Sequence, residues 1–110
     1  MDISVESFKS VDLVAVAGRV DSTTAPSFSE TLQQITDNGR YKIVVDLSSV
    51  EYMSSAGLRA LVGTLRTCKG RFGDCKIAAP SPRVRDVLDL AGLSELFDTH
   101  DSTTAAVGAF

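Results

Sequence analysis

A chain of 110 residues suits one compact domain with its own core, spanning 1–110. With 44% hydrophobic and 23% charged residues it falls among ordinary globular sequences, which excludes a disordered or fibrous chain. The net charge of −3 argues against nucleic acid, whose phosphates need a clustered cationic face.

The densest basic stretch, Arg59, Arg66, Lys69 and Arg71, reads as the solvated face of a helix and its exit loop. Cys68 and Cys75, with His100 as the one histidine, cannot supply four zinc ligands in a monomer and match no redox motif. Reduced cysteines, no metal and no cofactor are therefore expected. No basic-then-apolar leader opens the chain and no apolar run approaches a membrane span, so membrane insertion is not expected and a cytoplasmic location is.

In chain order, Ile3 to Phe8 alternates weakly as a strand, Lys9 to Asp12 reads as a hairpin turn, and Leu13 to Ala17 is a better strand stopped by Gly18. A polar loop, Ser22-Thr23-Thr24, leads to a helix with Pro26 in its first turn. Phe28, Leu32 and Ile35 give it an apolar face, and Asn38-Gly39 closes it. Ile43 to Leu47 has no polar alternation until Asp46, as in a strand covered on both faces. A short polar turn then precedes a helix over about Ser55 to Lys69, with Leu58, Leu61, Val62 and Leu65 as its expected core face.

Lys76 to Ala79 reads as a short strand ended by Pro80, and Ser81-Pro82 caps a helix striped by Val84, Val87, Leu88 and Ala91 and closed by Gly92. Leu96-Phe97 is expected to begin the last strand, and Asp101-Ser102 to cap a terminal helix through Ala106 and Phe110. Strands and helices alternating after a hairpin predict an α/β fold. Its mixed, mostly parallel sheet should have about five strands, with helices mainly on one face.

The segment Asp46-Leu47-Ser48-Ser49-Val50-Glu51-Tyr52-Met53-Ser54-Ser55-Ala56-Gly57-Leu58 sets two serines at a helix start. There the unpaired N–H groups and the positive end of the macrodipole favour a phosphorylated hydroxyl. The same two residues can equally be an N-cap and an ordinary first-turn serine. Arg59, one turn beyond Ser55, is spaced to hold a phosphate. Nucleophilic catalysis has less support. His100 lies in a distant segment, and Gly57 belongs to no Gly-x-Ser-x-Gly elbow. No Gly-rich phosphate loop with its lysine is present. A non-enzymatic role follows. A phospho-receiver reading, with Asp46 as acceptor, lacks both the acidic pair after the first strand and the lysine after the last.

These residues resemble the signature of STAS domains, in particular the single-domain anti-sigma-factor antagonists. Asp46-Leu47-Ser48 ending a strand, and a serine soon followed by Gly57-Leu58, carry the resemblance. Gly18-Arg19-Val20-Asp21 and the stretch from Ser81 to Phe97, with its Ala-Gly-Leu, extend it over essentially the whole chain.

The resemblance implies partner switching. Such a protein binds a serine-kinase anti-sigma factor, is phosphorylated by it and released, and is restored by a phosphoserine phosphatase. The family's acceptor maps onto Ser55, with Ser54, where relatives often carry Asp, as the alternative. Asp21 matches a family acid near that loop, and a local capping role suits it as well. Partner contacts are expected at Asp21, Ser54, Ser55, Ala56, Gly57, Arg59, Gly63 and Arg66. Some STAS proteins instead resemble constitutive subunits that clamp the ATPase of a lipid-transport ABC complex, which is the alternative reading.

Overall fold

The computed structural model describes residues 1–110. Its elements are β1 (Asp2–Ser7), β2 (Asp12–Val20), α1 (Ala25–Asp37), β3 (Lys42–Met53), α2 (Ser55–Lys69), β4 (Asp74–Ala78), α3 (Pro82–Leu90), β5 (Thr99–His100) and α4 (Thr103–Gly108). The strands lie side by side in the order β1-β2-β3-β4-β5. The β1–β2 hairpin is antiparallel and every later pairing is parallel, as the alternating sequence implies.

Alternation in the strands divides the interior. Val14, Val16 and Val20 of β2, Ile43, Val45 and Leu47 of β3, and Cys75 and Ile77 of β4 meet the apolar faces of α1, α2 and α3 in one cluster. Phe28 and Leu32 of α1, Leu61 and Leu65 of α2, and Val84 and Leu88 of α3 complete it. The other face carries a small cluster, in which Val11, Val44 and Ala78 pack under Ala106 of α4. Three helices thus cover one face and the short α4 part of the other. No helix is long and apolar enough to cross a membrane.

Four local expectations shift. β2 runs on through Gly18 to Val20, with register changes against β3 on either side of that glycine. β3 continues to Met53 through residues that read as a polar turn, because Val50, Tyr52 and Met53 still pair with β2. The last strand is Thr99–His100, not Leu96-Phe97. Phe97 is instead a buried plug in the main core. Val62 is half-buried at the edge of the core, whereas Leu58, Leu61 and Leu65 are within it.

Candidate functional site

β3 delivers the chain directly to α2. The Ser54 N–H donates to the Val20 carbonyl at 2.8 Å, tying the turn to the end of β2. Ser54 is the N-cap, its Oγ accepting from the Gly57 N–H at 3.2 Å. A cap of this kind satisfies one of the helix start's free donors. Gly57 is buried because α2 sits hard against the strands. A Cβ there would lie 2.4 Å from Met53 Sδ and 2.8 Å from Val20 Cγ1.

The two serines therefore differ. Ser54 is half-buried and its hydroxyl is engaged, while Ser55, the first helical residue, is exposed and its hydroxyl makes no hydrogen bond. Ala56 is half-buried beside it. Along the same helix Arg59, Gly63 and Arg66 are exposed, as their spacing predicts.

A groove of about 500 Å³ runs beside this face, with Ser55, Arg59 and Arg66 on its polar side and Leu58, Val62 and Leu93 on its apolar side. Neither arginine enters an ion pair. The groove combines a free hydroxyl, two available cations and an apolar floor, which suits a protein surface. Leu93, from the loop after α3, was not foreseen as a site residue. Nothing in its local sequence places that loop beside α2.

Asp21 lies at the neighbouring β2–α1 loop. Its Oδ1 accepts from the Thr24 and Thr23 N–H groups at 3.1 and 3.0 Å. The Thr24 hydroxyl accepts from the Asp21 N–H at 2.9 Å and donates to the Arg19 carbonyl at 2.8 Å. The hydrogen bond from the Thr24 backbone, opposed by partial burial and aided by Thr23, holds the Asp21 carboxyl below its usual range. Asp21 thus shapes the loop before α1, and that loop abuts the serine turn through Val20.

Other groups fall outside the groove. His100 Nε2 lies 2.9 Å from Asp98, on β5 and the loop before it, and neither residue lines the groove. Asp46 accepts from the Ser48 N–H at 2.9 Å, a local contact within β3 at the point where its pairing with β4 ends and not the turn expected there. A wider open hollow of about 730 Å³ borders the β3 extension, with Arg19, Ser49, Glu51, Ser81 and Arg83 among its walls. Arg19 is partly occupied there, lying 4.5 Å over the Tyr52 ring.

The model of the STAS domain family matches residues 2–106, and the chain belongs to that family. It is 30% identical over 105 residues to the anti-sigma-B factor antagonist of Staphylococcus epidermidis, covering 94% of this chain and 97% of that protein. The crystal structure of an anti-sigma factor antagonist from Mycobacterium paratuberculosis superposes with a TM-score of 0.89 at 29% identity, over 98% of this chain and 92% of that one. The antagonist SpoIIAA in its unphosphorylated form gives a TM-score of 0.85 at 18% identity, over 96% and 93% of the two chains. At that distance the likeness to SpoIIAA is one of fold.

Proposed function

We infer that this chain is an anti-sigma-factor antagonist, a regulatory binding protein that works by partner switching and not as an enzyme. Unphosphorylated, it binds a serine-kinase anti-sigma factor through the Ser55 turn, the Arg59, Gly63 and Arg66 face of α2, and the Asp21 loop. The kinase moves the γ-phosphoryl group of ATP to Ser55 Oγ, the hydroxyl proton leaves, and the contact ends. A phosphoserine phosphatase reverses the change. The names of the curated relatives support the antagonist role.

The observation that carries the switch is the division between the two serines. Ser54 Oγ is committed to the cap, whereas Ser55 Oγ is exposed and unengaged. A phosphate on Ser55 adds about −1.5 to −2 charge where a helix start tolerates it, so the fold persists. A partner covering that turn would have to bury the same dianion, which is costly without matching charge. Arg59, one turn away, holds the phosphate on the antagonist's own surface.

The experiment is phosphopeptide mapping after incubation with ATP in phosphatase-inhibited extract of the native host. The tryptic fragment Ile43–Arg59 holds all the serines concerned. Phosphate on Ser55 supports the switch, and phosphate on Ser54 moves the acceptor by one residue. An unmodified fragment from folded protein removes the switch and leaves constitutive docking, as in the ATPase-clamping reading.

A further inference from the structure

The end of the domain opposite the serine turn collects charge that the linear sequence disperses. Three connections meet there, residues 8–11, 38–41 and 70–73. Together with the element ends that flank them they hold five of the chain's eleven Lys and Arg residues, against three of its fourteen Asp and Glu, Asp12, Asp37 and Asp74. Two of the five are engaged. Arg40 Nε pairs with buried Asp12 at 2.8 Å, and Lys69 lies 3.7 Å from Asp74. Lys9, Lys42 and Arg71 have no anion within 4.0 Å, although Arg71 rests 5.6 Å over the Tyr41 ring. Asp37, on the last turn of α1, is exposed at the margin and accepts from Gln33 at 2.9 Å.

Beside the half-buried Tyr41, two exposed aromatic rings stand among these cations. Phe8 is 44% exposed and Phe72 100% exposed. Phe72 also has φ +63°, a left-handed conformation that a bulky residue adopts only at a cost and that glycine or asparagine would adopt more cheaply. The turn holding it is fixed. Gly73 N–H and Arg71 N–H both donate to the Cys68 carbonyl, at 2.8 and 3.0 Å, and Asp74 N–H donates to the Tyr41 carbonyl at 3.0 Å. Gly73 fits so closely under residue 41 that a Cβ would fall 1.8 Å from the Tyr41 oxygen. Arg40 fastens the β1–β2 turn alongside, donating to the Phe8 carbonyl at 2.9 Å. A fully exposed phenyl ring is thus held out rigidly from a basic surface, which an ordinary solvated turn does not require.

We propose that this pole is a peripheral contact for an anionic lipid bilayer surface, with Phe72 entering the headgroup layer and Lys9, Lys42 and Arg71 lying against lipid phosphates. Charge complementarity selects that occupant. A surface potential rewards free cations near it, and the interface accepts an aromatic ring that has no pocket of its own. A protein partner would call for a continuous apolar centre of ordinary interface size. A single-stranded nucleic acid would call for rings lying flat along a groove. The pole has separate projecting rings and isolated cations. It lies at the far end of α2 from Ser55, so lipid contact leaves the serine turn open.

The test is co-sedimentation of the full chain with vesicles of phosphatidylcholine alone or mixed with phosphatidylglycerol, at low and high salt. Binding to the mixed vesicles only, loss of it in high salt, and at least about a tenfold fall for Phe72→Asp are expected. Leu90→Asp is the control, since Leu90 is 89% exposed on α3 and is not among the residues that line the hollow between Lys9, Lys42, Arg71 and Phe72, and it should bind as the wild type does. Circular dichroism of Phe72→Asp should match wild type, because the ring touches no core. Absence of binding to the mixed vesicles, equal binding by Phe72→Asp, or capture of poly(U) RNA in place of vesicles would each overturn the proposal.

Discussion

Replacing Gly57 with alanine sets a methyl carbon 2.4 Å from Met53 Sδ and 2.8 Å from Val20 Cγ1. The methionine can swing aside. Val20 is β-branched, fully buried and locked in β2, so it cannot, and α2 must lift from the strands. Overpacking of this kind costs about 1–3 kcal/mol. Alanine also gains up to about 1 kcal/mol over glycine in a helix, which partly masks that cost. Gly63, two turns along the same helix, is exposed, and a Cβ there meets nothing within 4 Å. Gly63→Ala therefore receives the propensity gain alone, and the difference between the two variants isolates the packing cost. Urea denaturation should put the Gly57→Ala midpoint about 1 M below that of Gly63→Ala, given a slope of about 1–3 kcal/mol per molar for small domains. Equal midpoints would show that the close approach of α2 to Val20 does not constrain the serine turn.

Ser54→Ala should lose about 1 kcal/mol in the same assay, the usual worth of an N-cap, yet keep Ser55 available for phosphorylation. Ser55→Asp should retain the fold and lose binding to the cognate kinase by calorimetry, while Ser55→Ala binds and cannot be switched off. Wild-type affinity in Ser55→Asp would refute exclusion by charge. Burial pushes the Cys68 thiol up to about 11 and the Cys75 thiol higher still, so Ellman's reagent should label neither in the native protein and both after unfolding. Asp98 is held below the usual carboxylate range, first by its hydrogen bond from Lys76 at 2.6 Å and then by His100. Its contribution is complete above the unfolded carboxylate's value, about 3.9, and is lost as pH falls through the lower folded value. Asp98→Asn should flatten that acid limb in urea midpoints measured down the pH scale, and an unchanged limb would count against the pairing.

Helix faces were legible because the chemistry repeats locally. Phe28, Leu32 and Ile35, or Leu58, Leu61 and Leu65, each announce one buried stripe, and the pairing order follows from alternation of elements. The local geometry of the candidate serine site was legible for the same reason, since cap, glycine and exposed stripe lie within a few turns of one helix.

The overrun of β3 was not. Ser48, Ser49, Glu51 and Tyr52 are exposed, so no apolar alternation marks them as strand. Their pairing comes from β2, more than thirty positions earlier. A strand of two residues, Thr99–His100, carries no period at all, and Phe97 attracted the assignment because a buried plug looks like the start of a strand. The basic pole is a product of topology. Lys42 and Arg71 meet because parallel connections return each chain segment to the same end of the sheet, the turn of the antiparallel β1–β2 hairpin sets Lys9 beside them, and net charge conceals such a gathering.

Beyond Asp46, the last residue paired with β4, β3 extends seven residues with β2 as its one strand neighbour. On the open side, Ser81 alone supplies hydrogen bonds, from Oγ to the Val50 carbonyl at 2.8 Å and from N–H to the Leu47 carbonyl at 3.4 Å. The serine turn is therefore carried on a two-stranded cantilever rooted in a five-stranded slab. Amide protons along Ser48–Met53 should exchange well before those of Ile43–Val45, and a bound partner should slow them out to the root. Deuterium uptake along that arm would then register occupancy of the turn from residues outside the proposed contact set.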